Sequence, residues 1–193
     1  YRISISPHRK MFLLKGAVLF TVWKNLPRRP TRDIDFQGIG DSSPDHLMEV
    51  FSSLCEIEAL EDGMRFDAAS IQITTIRNEQ EYGGLRVRLN THLADARIPL
   101  WIDIGFGDAV TPPPREADYP TMLSLPAPRV QLYPPETVIA EKWQAMVELG
   151  FSNSRMKDFY DLWILSRYIE FEGSLLSQAI HATFERRRTS LPL

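Results

Sequence analysis

Asp33 and Asp35 stand on either side of a single isoleucine, Ile34, in the stretch 15–36. On an extended strand, residues i and i+2 point to the same face, with Cα atoms roughly 6–7 Å apart. Because Ile34 and Phe36 are apolar, the alternation predicts a half-buried strand with both acids on one face. Two carboxylates placed in this way can bind the same pair of divalent cations. The alternative is a pair of solvated or capping carboxylates, which is the common role of so short a pattern.

A glycine lies one predicted helix upstream of the two aspartates. Gly16 follows the apolar run 11–14, which predicts a strand, and opens the stretch 17–26, which predicts a helix. A glycine at such a junction lets backbone N–H groups and a helix N-terminus approach a phosphate closely. Basic residues precede the acids, namely Arg28, Arg29 and Arg32. This order of glycine turn, helix and acidic strand is what a metal-dependent nucleotidyl transfer site requires.

Composition limits the compartment and the partners. The 193 residues carry a net charge of −3, which argues against a protein that coats nucleic acid with its whole surface but allows a local basic groove. Cys55 is the single cysteine, so an intrachain disulfide and a cysteine-based zinc site are excluded. The apolar run 11–23 is interrupted by Lys15 and is too short to cross a bilayer, and no secretory signal is visible. We therefore expect a cytoplasmic protein without a membrane partner.

Apolar runs and turn residues divide the chain into predicted strands and helices. Leu85, Val87 and Leu89 alternate with polar residues and predict a strand over 85–93, whereas the mostly apolar run 98–106 predicts a central strand. The other predicted elements are strands over 11–14, 32–39 and 69–77, a turn at Gly83-Gly84, and helices over 17–26, 44–55, 135–149, 154–168 and 174–188.

Prolines are concentrated between the predicted strands and the C-terminal helices. They predict a linker over 111–134, because proline interrupts regular structure. The expected architecture is an α+β protein with a mixed sheet flanked by helices. Its strand-rich core covers residues 1–110, and a helical domain over 135–193 closes over that core.

Asp103 is a third candidate metal ligand. It lies inside the apolar strand 98–106, where a carboxylate is costly to bury unless it is paired or bound to metal. If this strand lies beside the one that bears Asp33 and Asp35, the three acids form an oxygen-only site suited to Mg²⁺ or Mn²⁺. The alternative is an ion pair with an arginine such as Arg86 or Arg88.

The C-terminal helices carry a second group of charged residues. Lys142 can neutralise a nucleotide phosphate, and Asp158 can orient the lysine or a base. Asp158 and Asp161 are three residues apart and share one helix face. The alternative is an ion pair between helices. The opposite face carries an apolar stripe that we expect to lie in the core; it consists of Met156, Phe159, Tyr160 and Trp163.

Four segments in this order resemble the AbiEii/AbiGii-type toxin nucleotidyltransferases: LLKGA, RDIDF, LYPPETVIAEKWQAM and RMKDFYDLWIL. The resemblance covers residues 11–168. It implies a DNA polymerase β-like nucleotidyltransferase domain followed by a helical domain. It also implies an NTP substrate, an RNA acceptor such as the tRNA 3′ end, and a role as the toxin of a toxin–antitoxin or phage-defence pair with a cognate antitoxin.

The resemblance also assigns site residues. The implied metal ligands are Asp33, Asp35 and Asp103, and the implied catalytic residues are these three with Lys142 and Asp158. The implied nucleotide-binding residues are Lys15, Gly16, Ala17, Arg32, Lys142, Asp158 and Asp161. Where many nucleotidyltransferases have Gly-Ser or Gly-Gly, this chain has Gly16-Ala17, so nucleotide binding would depend on backbone amides and Lys15. Two other hypotheses stay open, a catalytically inactive binding module and a metal-dependent nuclease.

Overall fold

The computed structural model describes residues 1–23, 26–27, 29–59, 62–76, 83–121 and 123–192. Within these residues the strands are β1 (Phe12–Lys15), β2 (Ile34–Gly38), β3 (Met64–Ile76), β4 (Gly84–Leu93), β5 (Ala96–Phe106), β6 (Arg115–Asp118) and β7 (Arg129–Leu132). The α-helices are α1 (Arg2–Ile5), α2 (Leu19–Val22), α3 (Pro44–Glu56), α4 (Pro135–Leu149), α5 (Met156–Tyr168) and α6 (Gly173–Arg186).

All the described strands belong to one mixed sheet with the order β3-β4-β5-β2-β1-β7-β6. Strands β3, β4 and β5 form an antiparallel meander. Strand β2 is parallel to β5 and antiparallel to β1, and β1 is parallel to β7. Helices flank this sheet, so the predicted α+β class is confirmed. The acidic strand β2 and the strand that carries Asp103, β5, are direct neighbours.

The two faces of the sheet differ because side chains alternate along each strand. Phe12 on β1 and Phe36 on β2 point to the face covered by α3, where the Phe12 ring lies 5.8 Å from that of Phe51 and 5.6 Å from that of Phe36. Lys15 and Asp35 follow the other parity and point to the opposite face. The apolar contacts on one face therefore fix the polar side chains on the other.

Helix ends follow the sequence signals. Ser43 caps α3 by accepting a hydrogen bond from the His46 N–H, with Pro44 in the first turn. Helix α4 ends at Gly150, which has a φ of +50° and donates its N–H to the Met146 carbonyl. The predicted helices over 44–55, 135–149, 154–168 and 174–188 are confirmed within two residues at each end. Among the described residues no helix is both long and apolar enough to cross a membrane.

The predicted linker over 111–134 is wrong. Two strands form in it: β7 pairs with β1, and β6 pairs with β7 at the edge of the sheet. The prolines lie between and around these short strands, so they shorten the strands without preventing them. The segment is therefore an integral part of the sheet.

The stretch after Gly16 is less helical than predicted. A 3₁₀ turn over Gly16–Val18 leads into the single turn of α2, which ends at Trp23. β-Branched and aromatic residues there (Val18, Phe20, Val22, Trp23) favour burial over a long helix. Residues 24 and 25 of the predicted helix, and most of the predicted turn region before Gly83, lie outside the described residues.

The C-terminal helices share the core of the sheet. One cluster of buried apolar side chains joins Leu14 and Ile104 from strands with Val138 from α4 and Leu165 from α5. Helix α4 also packs against α5 and α6. This packing holds the helices against the face that carries Asp35, and a cavity lies between them.

Candidate active site

A row of four charged side chains crosses the sheet on one face. The strand register places Lys15 beside Asp35, Asp35 beside Asp103, and Asp103 beside Arg86. Neighbouring strands are roughly 5 Å apart, so consecutive members of the row are within reach of one another. The fold therefore meets the condition stated for a shared site, that the strands bearing Asp35 and Asp103 are neighbours.

Asp35 lies at the centre of this row and packs against Gly16. A Cβ atom on Gly16 would lie 2.7 Å from Cγ of Asp35 and closer still to its carboxylate, and the φ of Gly16 is +72°. Only glycine satisfies both conditions without strain. Burial raises the pKa of Asp35 and the Asp103 carboxylate raises it further, against the opposing effect of Lys15. The carboxyl group is thus in an environment that favours a compensating cation.

Asp103 forms an ion pair with Arg86. The guanidinium donates from Nε and Nη2 to the two carboxylate oxygens, each at 2.6 Å. The Arg86 guanidinium also lies 5.5 Å from the ring centroid of Trp101. The structure thus contains the ion pair that was the alternative interpretation of Asp103. It also places Asp103 beside Asp35 in the strand register, as a shared metal site would need.

Asp33 lies just before β2 and is half-buried. Its Oδ1 atom is buried and has no hydrogen-bond partner among the described residues. Asp33 is two residues before Asp35, and its charge adds to the raised pKa of Asp35. An unsatisfied carboxylate oxygen beside a carboxyl group of raised pKa is the donor chemistry that a hard divalent cation fits.

The described residues contain no group of three His, Cys, Asp or Glu side chains arranged to hold a metal ion. Asp33 and Asp35 have donor atoms available, whereas Arg86 engages both oxygens of Asp103. A three-carboxylate site therefore requires Arg86 to release Asp103.

A cavity of about 420 Å³ lies over the row, between the sheet and the C-terminal helices. Its walls include several residues singled out from the sequence: Lys15, Gly16, Asp35, Asp103, Lys142 and Asp158. Asp33, Ala17, Arg32 and Asp161 are absent from its described lining. Ala17 is in the core and Arg32 is exposed, so their side chains lie away from the cavity.

Lys142 and Asp158 form a buried ion pair between α4 and α5. The Lys142 ammonium lies 2.7 Å from Asp158 and 2.9 Å from Asp161, and both aspartate side chains are almost completely buried. Arg29 donates to both oxygens of Asp161 at 2.8 and 3.0 Å. Burial would raise the pKa of Asp161, but the Arg29 hydrogen bonds and Lys142 lower it overall. The ion pair between helices, one of the two sequence alternatives, is therefore present.

The Lys15 ammonium belongs to a second charged cluster on the cavity wall. It lies 3.1 Å from Glu141 on α4 and 3.4 Å from Asp108 in the loop after β5. Burial would lower the pKa of Lys15, but Glu141 and Asp108 raise it overall. Arg187 pairs with the same two carboxylates at 3.0 and 3.4 Å, and the Tyr133 hydroxyl donates to Glu141 at 2.7 Å. Strand, loop and two helical segments meet in this cluster.

Sequence reasoning missed several members of the site. Asp108, Tyr133 and Arg187 had no assigned role, and the Arg187 side chain, at the end of α6, is only 13% exposed. Glu141 precedes Lys142 in the third family-like segment, and that adjacency was the available signal. No local pattern indicates the role of Arg187, because its partners Asp108 and Glu141 lie far from it in the sequence.

The apolar stripe on α5 is also a correction. Met156, Phe159, Tyr160 and Trp163 are exposed, and the buried face of the helix carries Asp158 and Asp161 together with Ile164 and Leu165. The expectation that the stripe lies in the core is wrong. Ion pairs with Lys142 and Arg29 stabilise Asp158 and Asp161 in the interior, so the acidic face of α5 is buried and the apolar stripe faces solvent.

The mixed sheet, its acidic row and the cavity under the C-terminal helices define a protein with a nucleotidyltransferase-like fold. Solved structures with similar folds include JHP933 from Helicobacter pylori, with a TM-score of 0.52 and 17% identity over 95% of this chain and 73% of that one. A nucleotidyltransferase-like antigenic protein from Paracoccidioides brasiliensis gives a TM-score of 0.50 and 12% identity, over 92% of this chain and 80% of that one. No curated protein sequence matches this chain.

The family is established by sequence. A family model described as the nucleotidyl transferase AbiEii toxin of a type IV toxin–antitoxin system matches residues 1–193. The chain belongs to the AbiEii family, and the resemblance seen in the four segments is confirmed.

Proposed function

We propose that this protein transfers a nucleoside monophosphate from an NTP to an acceptor hydroxyl, with Mg²⁺ or Mn²⁺ as cofactor. The observation that supports this most is the row formed by Lys15, Asp35 and Asp103 on the wall of the cavity. Membership of the AbiEii family supports the same reaction class. The proposed acceptor is RNA, in particular a tRNA 3′ end, and the proposed setting is the cytoplasm, where a cognate antitoxin opposes the toxin.

The proposed metal ligands are Asp33, Asp35 and Asp103. The orphaned Oδ1 of Asp33 and the raised pKa of Asp35 support the first two, because both features are relieved by a bound cation. Bound Mg²⁺ would lower the pKa of the attacking hydroxyl and offset the charge on the pyrophosphate. Asp103 would bind the metal after its ion pair with Arg86 breaks, and the Arg86 guanidinium would then pair with a phosphate.

The proposed nucleotide contacts lie around the same cavity. Gly16 lies on the cavity wall, where the Asp35 carboxyl group occupies the space of its missing side chain, and the N–H of Ala17, next in the same turn, would donate to a phosphate. Lys142 would contact the triphosphate from the α4 side, with Asp158 fixing its ammonium group. Asp161 would act indirectly, by holding Lys142 and Arg29. The exposed Arg32 side chain lies outside the cavity lining, so it would have to turn towards the cavity to contact a bound nucleotide.

The test is incubation with each labelled NTP, Mg²⁺ and total tRNA, comparing wild type with Asp35→Asn. Label transfer by the wild type alone is the expected result, because the amide keeps the shape of the carboxylate and loses the charge that holds the metal. Thermal unfolding controls for folding. Transfer that continues unchanged in Asp35→Asn would refute the metal role, and shortened RNA without label would indicate the nuclease.

A catalytically inactive binding module is the second candidate. The Arg86–Asp103 ion pair favours this candidate, because Arg86 occupies both oxygens of the carboxylate that a three-carboxylate metal site would need. Arg86→Gln distinguishes the two. If Asp103 is a metal ligand, removal of the competing guanidinium tightens Mg²⁺ binding, as measured by calorimetry without NTP. If the pair only stabilises the fold, Mg²⁺ affinity stays at the wild-type value and the melting temperature falls.

A further inference from the structure

The outer face of α5 exposes an unusual run of large apolar side chains. Met156, Phe159, Tyr160 and Trp163 are 70%, 45%, 37% and 54% exposed and occupy positions i, i+3, i+4 and i+7 of the helix. Such spacing places them on one face, which we call the aromatic stripe. The Tyr160 and Trp163 rings are 6.3 Å apart, so they form a continuous surface. Contiguous exposed apolar surface of this kind marks a binding site.

The exposed charges of α5 all have one sign. Asp158 and Asp161 are buried in ion pairs on the inner face, whereas Lys157 and Arg167 are exposed. Neither of these two basic residues forms an ion pair shorter than 4.0 Å with another described residue. Arg167 lies four residues after Trp163 and extends the stripe by one turn. The surface of α5 is therefore aromatic and basic, which complements a polyanion with flat rings.

The aromatic stripe begins at the cavity. Lys157 and Arg155 line the cavity wall together with Asp158, and Lys157 lies close enough to Asp35 for its charge to lower the pKa of that carboxyl group. A chain that runs along α5 towards its N-terminal end would thus arrive beside the acidic row. This continuity distinguishes the stripe from an isolated apolar patch.

We propose that the aromatic stripe binds the terminal nucleotides of a single-stranded polynucleotide. Bases stack on Phe159, Tyr160 and Trp163, while Lys157 and Arg167 pair with the phosphates. Stacking on aromatic side chains within a basic surface is how single strands are bound without a fixed sequence. The strand enters the cavity with its 3′ hydroxyl foremost. That orientation rests on the proposed nucleotidyl transfer, whereas binding to the stripe does not.

The experiment measures binding of 5′-labelled ten-residue RNA and DNA of the same sequence by fluorescence anisotropy, without NTP or Mg²⁺. Trp163→Ala and Phe159→Ala should each weaken binding by about 5- to 150-fold, the range measured for loss of one stacked base. Trp163→Phe keeps a ring and should bind within about threefold of wild type. Lys157→Gln should reduce the salt dependence of log K by about 0.7, as expected for one lost phosphate contact.

Tyr168→Ala is the matched control. Tyr168 is 55% exposed on the same helix, but it follows Arg167 by one residue and so is turned about 100° from the stripe. Its loss should leave affinity unchanged. Tighter binding of RNA than of DNA would support RNA as the polynucleotide that the stripe binds, and equal affinity would mean that the stripe accepts both RNA and DNA.

Unchanged affinity in Trp163→Ala and Phe159→Ala, or failure of the wild type to bind either oligonucleotide, would overturn the proposal. So would stripe variants that keep oligonucleotide binding and lose a co-purifying protein partner, since the surface would then be a protein interface. Stripe-dependent binding with no label transfer from any NTP would instead overturn the proposed function and leave this surface in place.

Discussion

Gly16 shows how a single residue connects the backbone with the chemistry of the site. Its positive φ directs the chain from β1 into the 3₁₀ turn, and its missing side chain lets the Asp35 carboxyl group lie against the backbone. The same contact contributes to the burial that raises the pKa of Asp35. Conformation and electrostatics at this position therefore depend on each other.

Gly16→Ala should lower both stability and activity. The new Cβ would lie 2.7 Å from Cγ of Asp35, and an alanine at a φ of +72° is strained, so we expect a loss of about 1–2 kcal/mol in unfolding free energy and loss of label transfer. Urea denaturation and the transfer assay measure the two effects. Gly173→Ala is the control, because nothing lies within 4 Å of its Cβ position. Equal, small effects of both substitutions would contradict this account of Gly16.

At the scale of single elements, α5 is defined by which of its faces is buried. Asp158 and Asp161 lie inside, and Lys142, Arg29 and Arg155 provide their countercharges. A buried carboxylate without a partner is destabilising by several kcal/mol, so each of these pairs is needed for the helix to pack in this orientation. The aromatic residues face solvent as a consequence.

Asp161→Ala should destabilise the protein by about 3 kcal/mol at pH 7, because Arg29 loses its carboxylate partner in a buried site. The pKa of Asp161 is lowered in the folded protein, so its stabilisation is present above the ordinary aspartate pKa and is lost as pH falls through the folded-state value. The difference between wild type and variant in urea denaturation should therefore shrink from pH 7 to below pH 4.

Glu116→Gln provides the comparison for that experiment. Glu116 pairs with Arg129 at 3.1 Å across β6 and β7, but both side chains are well exposed. Its loss should cost at most about 1 kcal/mol. If Asp161→Ala were as mild as Glu116→Gln at pH 7, the buried network would not determine the orientation of α5.

At the scale of the whole molecule, the cluster of Lys15, Asp108, Glu141 and Arg187 joins the sheet to the C-terminal helices. Its members come from the first strand, the loop after β5, α4 and the end of α6. Burial would raise the pKa of Asp108, but Lys15 and Arg187 lower it overall. The cluster closes one wall of the cavity, so the position of the helices and the shape of the site depend on it.

Arg187→Ala should destabilise the whole fold by about 3 kcal/mol and weaken NTP binding, because Asp108 and Glu141 would share a single cation. Arg9→Ala removes an exposed arginine and should change neither quantity measurably. Urea denaturation and equilibrium binding of a fluorescent NTP give the two readouts. Wild-type stability in Arg187→Ala would mean that the helices are held by apolar contacts alone.

Local patterns were sufficient for much of the fold. Alternation of apolar and polar residues identified β4, and a mostly apolar run identified β5. A capping serine with proline identified the start of α3, and a glycine identified the end of α4. Local patterns also predicted a strand for Asp35 and another for Asp103, whereas the pairing of these two strands was only a condition of the metal hypothesis. Short-range signals of this kind depend on a few adjacent residues, which the sequence contains in full.

Long-range pairing was decided only in the tertiary structure. The sequence by itself determined the α+β class, the acidic strand and the glycine beside it. It did not determine that 111–134 adds two strands to the sheet, that Arg86 engages Asp103, or that α5 buries its acids and exposes its aromatic residues. The energy of a buried charge depends on partners that are distant in sequence, and hydrophobicity patterns alone do not identify those partners.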